Sequence, residues 1–282
     1  MLFSLIIVIV LPFAMAAGLC WKSTSLLGTH NLFRLLTSSD WHPMKGQFGF
    51  APFIASSLII TLISILLAAP ICILSAIHMV YFAPKYVLNI MRPVIDILAG
   101  IPSVIYGVWG ILMIVPLVSR YIAPLFGAAT SGYNILSASL VLAIMIIPFI
   151  LNMLIEVFKT IPHELHEAAL SLGTTSWQAI RKVLIKQARP GIISAVSLGV
   201  SRAFGETIAV LMLAGNVPIM PKGIFQPAYP LPALIANNYG EMLSIPMYDS
   251  ALMFSAFILF IIVLMFNFFS RVAIARYEKS VM

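Results

Sequence analysis

Long, uninterrupted apolar stretches dominate this chain. Six runs stand out, at roughly 1–20, 51–82, 100–119, 135–158, 192–214 and 251–270. About 20 apolar residues rising 1.5 Å each cross about 30 Å of hydrocarbon, so each run predicts one helical crossing. None shows the alternation of barrel strands, which leaves helices as the spanning structure. The second run exceeds one perpendicular crossing and predicts a tilt, or a bend at Pro70, with protrusion from the bilayer. Residues 85–98, "KYVLNIMRPVIDIL", are amphipathic instead. Val87, Ile90, Met91, Val94, Ile95 and Leu98 recur at helical spacing, with Lys85, Asn89, Arg92 and Asp96 on the other face. This predicts a helix lying along the membrane interface, bent or shortened at Pro93.

Composition agrees. The chain is 61% hydrophobic and 9% charged, against about 45–50% and about 25% in soluble domains. It reads as an integral membrane protein forming one membrane domain, 1–282. The net charge of +7 is spread between apolar runs, which speaks for lipid headgroups and membrane orientation rather than nucleic acid. Lys85, Arg92, Lys159, Arg181, Lys182, Lys186, Arg189, Arg271, Arg276 and Lys279 fall in the second and fourth connections and the C-terminal tail. Only Lys22, Arg34, Lys45, Arg120 and Lys222 fall on the other side, in longer loops. The positive-inside rule makes the first group, and the C-terminus, cytoplasmic. Ala14-Met15-Ala16 resembles a signal-peptide cleavage site, but no Lys or Arg precedes the apolar stretch, so the first run is expected to stay as a span. Cys20 and Cys72 carry no disulfide or metal spacing.

The loop 159–190, "KTIPHELHEAALSLGTTSWQAIRKVLIKQARP", parses as two short helices. Thr160 is expected to cap the first, with Pro162 near its first turn and Leu165, Ala168, Ala169 and Leu172 as its apolar stripe. Gly173 suits the left-handed C-terminal position. Thr175 and Gln178 suit a capping box opening the second helix, which is expected to stop before Pro190. Such a helix–Gly–helix unit is a compact lever.

"EAALSLG" resembles the EAA motif of ABC-importer permeases, with Glu167, Ala168, Ala169 and Gly173 at the expected spacing; the usual Ile-x-Leu-Pro continuation reads Val183-Leu184-Ile185-Lys186. In order, "LTSSDWHP", "QFGFAPFIASSL", "AGIPSVIYGVWG", "EAALSLG" and "SRAFGETIAVLMLAGN" resemble the PstC-type permeases of bacterial phosphate importers. The resemblance implies an all-α type I permease of the MetI-like fold with six transmembrane helices, in the cytoplasmic (inner) membrane. It implies that loop 159–190 docks on an ATPase subunit. It also implies partners: a second permease of PstA type, two ATP-binding subunits and an extracytoplasmic phosphate-binding protein. The sister PstA-type permease, or a permease for sulfate or molybdate, stays open as an alternative.

Arg202 and Glu206, in "SRAFGETIAV", lie one helical turn apart inside the fifth apolar run. A charge at the bilayer centre costs about 2.5–3.5 kcal/mol on insertion scales and is seldom idle. At i and i+4 the two can neutralise one another, although arginine before the acid is the weaker order for an isolated pair. Ala195, Gly199, Arg202, Glu206 and Ala209 would share a small-residue seam, with Val196, Val200, Phe204 and Ile208 on a bulky face. Either the pair is a salt bridge fixing helix register, or Arg202 offers a planar cation along an anion's path, balanced by Glu206. The resemblance implies the latter. Thr207 adds a hydroxyl for that path or for its own backbone.

Other constellations carry less. His163 and His166 with Glu164 and Glu167 lack a third strong metal ligand and read as a solvated face. The chain has no Gly-Lys dipeptide, hence no P-loop lysine, so ATP hydrolysis is expected from a partner and no enzyme chemistry or cofactor is expected here. Trp41, Tyr106 and Asn216 are expected as anchors or packing residues before any role in an access route. A secondary transporter would show discontinuous spans in paired halves, which the apolar runs do not suggest.

Overall fold

Ser64, Ala68, Cys72 and Ala76 repeat every four residues along the second apolar run, and none is exposed to solvent. Small side chains at that spacing line one face of a helix and let a neighbour's backbone approach closely. In the computed structural model they do so. Helix α3 (Ala51–Tyr81) packs along α6 (Ile135–Lys159), the most extensive helix pair of the chain. Ser64 Oγ donates to the carbonyls of Ile60 and, across the interface, Ser139 at 3.0 Å. Cys72 Sγ lies 3.5 Å from the Ile147 carbonyl. With no water to expel between lipid-embedded helices, such close packing and interhelical bonds hold the pair together.

Around this pair the order is α1 (Leu2–Thr29), the short α2 (Leu32–Thr37), a hairpin of β1 (Trp41–His42) and β2 (Gln47–Phe48), then α3, α4 (Lys85–Gly100), α5 (Ser103–Leu125) and α6. There follow α7 (His163–Ser171), α8 (Ser176–Ala179), α9 (Ile185–Gly205), α10 (Ile208–Leu213), α11 (Leu231–Asn238) and α12 (Tyr248–Val281). The structure describes residues 2–241, 245 and 247–281, with side chains for 5–241, 245 and 247–276. The side chains of residues 2–4 and of Lys279, counted above among the inside-facing cations, lie outside these, as do residues 1, 242–244, 246 and 282 altogether. Among the described residues five continuous helices are long and apolar enough to cross a membrane: α1, α3, α5, α6 and α12. The fifth apolar run supplies the remaining crossing in two pieces, α9 and α10, rather than one.

Proline does less damage than its chemistry predicts. Helices α3, α4 and α9 continue through Pro70, Pro93 and Pro190, so the second half of loop 159–190 does not stop before Pro190. It runs from Ser176 through a π-helical turn, Ile180–Leu184, directly into α9. In α5, two π turns close immediately before Pro116 and Pro124: Val115 N–H reaches Gly110 O, and Ala123 N–H reaches Val118 O. Widening the ladder there makes room for rings whose nitrogen has no hydrogen to donate.

The stretch after α10 is not a free outer loop. Gly215, at φ +88°, turns the chain back, and Gly215 bridges Ala228. The carbonyls of Gln226 and Ile224 accept from Ile135 and Leu136 N–H, satisfying the open start of α6. Ser56 and Ser57 accept from Tyr229 and Leu231 N–H at 3.3 and 2.8 Å. Leu231, Ala233 and Leu234 are wholly buried between α3 and α12. Trp41 packs edge-on against Phe48, Phe50, Phe53 and Tyr248 at the same end, the anchoring role expected of it.

Ala68→Leu forces three extra carbons into the α3–α6 seam and is expected to cost about 1–3 kcal/mol. Thermal unfolding of the detergent-solubilised protein should fall accordingly, while Leu66→Ala, on the lipid-facing side of the same helix, should leave it unchanged.

Candidate functional site

Gly205 is where the fifth crossing gives way. Helix α9 ends there, and Glu206 takes an extended conformation (φ −73°, ψ 119°) before Thr207 opens α10. The loose ends are tied locally. Glu206 N–H donates to Ala203 O, Thr207 Oγ1 donates to Gly205 O at 3.2 Å, and Thr207 O accepts from Leu211 N–H. Glu206 Oε1 accepts from Ala209 N–H at 3.3 Å. The carboxylate thus sits at the positive end of α10, and Arg202, in the last turn of α9, sits at the negative end of the preceding helix.

The break overturns the expected pairing. An i,i+4 ion pair requires a continuous helix, and none forms between Arg202 and Glu206; the described residues show ion pairs only for Lys159–Glu156 and His163–Glu167. The two side chains diverge. The Arg202 guanidinium carbon lies 4.7 Å from the centre of the Phe149 ring, in cation–π contact. Phe149 is fourteen residues past the start of α6, roughly 20 Å along it, near mid-membrane. Glu206 instead lines a small cleft with Ser57, Thr61, Leu142, Pro230 and Pro232. The seam divides likewise. Ala195, Gly199 and Ala209 pack inward, Gly199 so tightly that a Cβ would meet Ile150 at 2.5 Å, whereas Arg202 is exposed on the subunit's surface. Of the bulky face, Phe204 is buried and meets Phe266 in a tilted ring contact, centroids 5.2 Å apart.

Tyr106 and Asn216 serve packing and turn formation. Tyr106 is buried and donates to Leu98 O at 2.9 Å. Asn216, at φ +53°, donates to Leu211 O at 2.8 Å. The buried serines of α3 that hold the returning segment escaped notice in the sequence; their signal was Ser56-Ser57 at a run's outer end.

At the other end, α7 and α8 form the helix–Gly–helix unit. Gly173 has φ +80°, and Thr175 and Gln178 close a reciprocal capping box. Thr160 does not cap α7. It terminates α6, donating to Val157 O, and Pro162 stands at the start of α7. Ala169 is buried, and Glu167 is exposed beside His163 at 3.3 Å. His166 tucks against Tyr81. Of the expected apolar stripe only Ala169 is covered; Leu172 is 85% exposed, and Trp177, 48% exposed, joins it in presenting apolar surface outward.

Residues 68–282 match the model of the binding-protein-dependent transport system inner membrane component family. The chain belongs to that family. It is 35% identical over 274 residues to the phosphate transport system permease protein PstC of Pasteurella multocida, covering 92% of this chain and 84% of that one. It is 39% identical over 208 residues to the probable ABC transporter permease protein YqgH of Bacillus subtilis, covering 73% and 66%. Among solved structures it resembles an inward-facing MetNI methionine ABC transporter chain, with TM-score 0.64 and 21% identity, over 84% of this chain and 99% of that one. The all-α permease fold and the multi-pass membrane character follow; as a family member the chain is a membrane component of a transport system that works with a binding protein.

Glu206→Ala removes the cap of α10 and is expected to cost about 1 kcal/mol, accelerating hydrogen exchange at the Ala209 amide about fivefold. Glu206→Gln keeps an acceptor oxygen and should leave that exchange rate near the parent's.

Proposed function

We propose that this chain is the PstC-type permease subunit of an ATP-driven importer that carries inorganic phosphate into the cytoplasm. The observation that carries this reading is Arg202, exposed on the subunit's own surface near mid-membrane at the end of a broken helix. Fatty acyl chains are a poor neighbour for a guanidinium, so that face belongs against a second permease of PstA type, with the path between the two. Backbone that leaves the helix at membrane depth is tolerated where it is buried in protein or lines a watery cavity. Arg202 then donates its planar fork to the passing oxyanion. Glu206 and Thr207 hold the break and border the path. The likeness to phosphate permeases supports phosphate as the cargo.

Hydrolysis belongs to partners. Two ATP-binding subunits dock on the cytoplasmic face, one of them on α7–α8, where Leu172 and Trp177 supply apolar contact and Glu167, Ala168, Ala169 and Gly173 set the fold. An extracytoplasmic phosphate-binding protein delivers the anion to the opposite end. The excess of Lys and Arg around α4, α7–α9 and the end of α12 supports a cytoplasmic C-terminus. Closure of the ATPases moves α7–α8, and access switches from one side of the break to the other.

In proteoliposomes holding the whole importer, Arg202→Ala should lower phosphate uptake about 100-fold, the loss of two charge-assisted hydrogen bonds, with all subunits still co-purifying. Normal uptake by that variant removes the residue from the path. Excess sulfate or molybdate should leave uptake unaffected if phosphate is the cargo. Leu172→Asp should instead release the ATPase during purification while the permease pair stays together.

A further inference from the structure

A second cluster of basic side chains lies at the far end of the bundle from α7–α8. There the chain leaves α1, forms α2 and the hairpin, and enters α3. His30, Arg34, Ser38, Asp40, Lys45 and Gln47 surround a pocket whose floor is Leu35 and Phe48, both buried. The frame is built rather than incidental. Phe50 N–H donates to Leu35 O and Ala51 N–H to Ser38 O, closing the hairpin base onto α2. Gly49 fits there only without a side chain, because a Cβ would stand 2.4 Å from Ser38 O. Gly46, at φ +67°, turns the hairpin so that Lys45 reaches the rim. His30 stands edge-on against Phe48. Among the described residues neither Arg34 nor Lys45 has a carboxylate within ion-pair distance. Asp40, the pocket's own acid, is held by Ser38 Oγ at 3.3 Å, and Ser38 Oγ in turn accepts from Asp40 N–H.

Two unpaired cations in a preformed concavity suit an oxyanion, and Asp40 narrows the choice. A carboxylate beside the bound anion repels it unless the ligand brings a hydroxyl hydrogen to share. Hydrogenphosphate has one, and so does the glycerol of a phosphatidylglycerol headgroup; sulfate has none. The flanks also matter: Phe33 is 74% exposed and Met44 84%, apolar surface beside a basic site, as expected at the level of lipid headgroups. We propose that this pocket binds a hydroxyl-bearing phosphate oxyanion at the membrane surface remote from α7–α8, presented by a phospholipid headgroup or as inorganic phosphate. The site is separate from Arg202 and does not rest on the transport reading.

The test uses the full chain carrying Arg202→Ala, so that the proposed path contributes nothing. In one arm, nanodiscs of equal phosphatidylglycerol and phosphatidylcholine are dissolved and the lipid retained is measured by native mass spectrometry. In the other, radiolabelled inorganic phosphate binding is measured in phosphatidylcholine nanodiscs, with sulfate as competitor. Arg34→Gln with Lys45→Gln should cut retention in one arm about 30-fold, about fivefold for each cation. Lys22→Gln, outside the pocket, should change neither, and Arg34→Lys should keep most of the binding, guarding against a folding defect. Loss in the first arm assigns a lipid, loss in the second assigns free phosphate. Equal retention by the double variant and the parent in both arms, or displacement of bound phosphate by sulfate at equal concentration, overturns the proposal.

Discussion

Within hydrocarbon, a backbone N–H or C=O that leaves its helix finds no water to replace the lost partner. That constraint governs the whole arrangement around Gly205. The chain interrupts its fifth crossing, then supplies the missing partners from its own side chains: the Thr207 hydroxyl to Gly205 O and the Glu206 carboxylate to Ala209 N–H. The returning segment after α10 would be equally exposed without Ser56 and Ser57 on α3, which accept from Tyr229 and Leu231. In exchange, that segment's carbonyls complete the start of α6. Break, returning segment and the α3–α6 pair are therefore one hydrogen-bonded system.

Much of the fold was legible because hydrophobicity and length say where a chain can cross a membrane. The second and fourth runs, 51–82 and 135–158, match α3 and α6 almost residue for residue. Gly173 and the Thr175–Gln178 box were legible for a different reason: they are local backbone chemistry, indifferent to the fold around them. The break was not legible. Gly205, Glu206 and Thr207 lie between strongly apolar neighbours, and hydropathy averages over them, so Arg202 and Glu206 looked like one helical turn. The prolines misled in the opposite sense. Pro190 looked like a stop, yet tertiary packing and a nearby π turn carry the helix through it. Residues 215–241 have the Pro, Asn and Gly content typical of aqueous loops, whereas much of their polar backbone is spent on α3 and α6.

The isolated subunit also displays what it lacks. Arg202 near mid-membrane and Leu172 with Trp177 on α7–α8 are exposed for opposite reasons, one a charge where lipid is expected and the other apolar groups where water is expected. Neither exposure suits a chain that works alone. Both are consistent with a family whose members are parts of larger transport systems.

The uninterrupted run from Ser176 through the π turn to Gly205 has a mechanical meaning. Thirty residues of helical backbone, roughly 45 Å long, form a shaft with no loop to absorb slack. A push or a twist applied at Trp177 is delivered at Gly205 with little lost on the way, because a helix resists torsion as well as compression. On the proposed docking of α7–α8, a small rotation of that unit would therefore turn the whole shaft and reach the break as a rotation, with no loop in between to take it up.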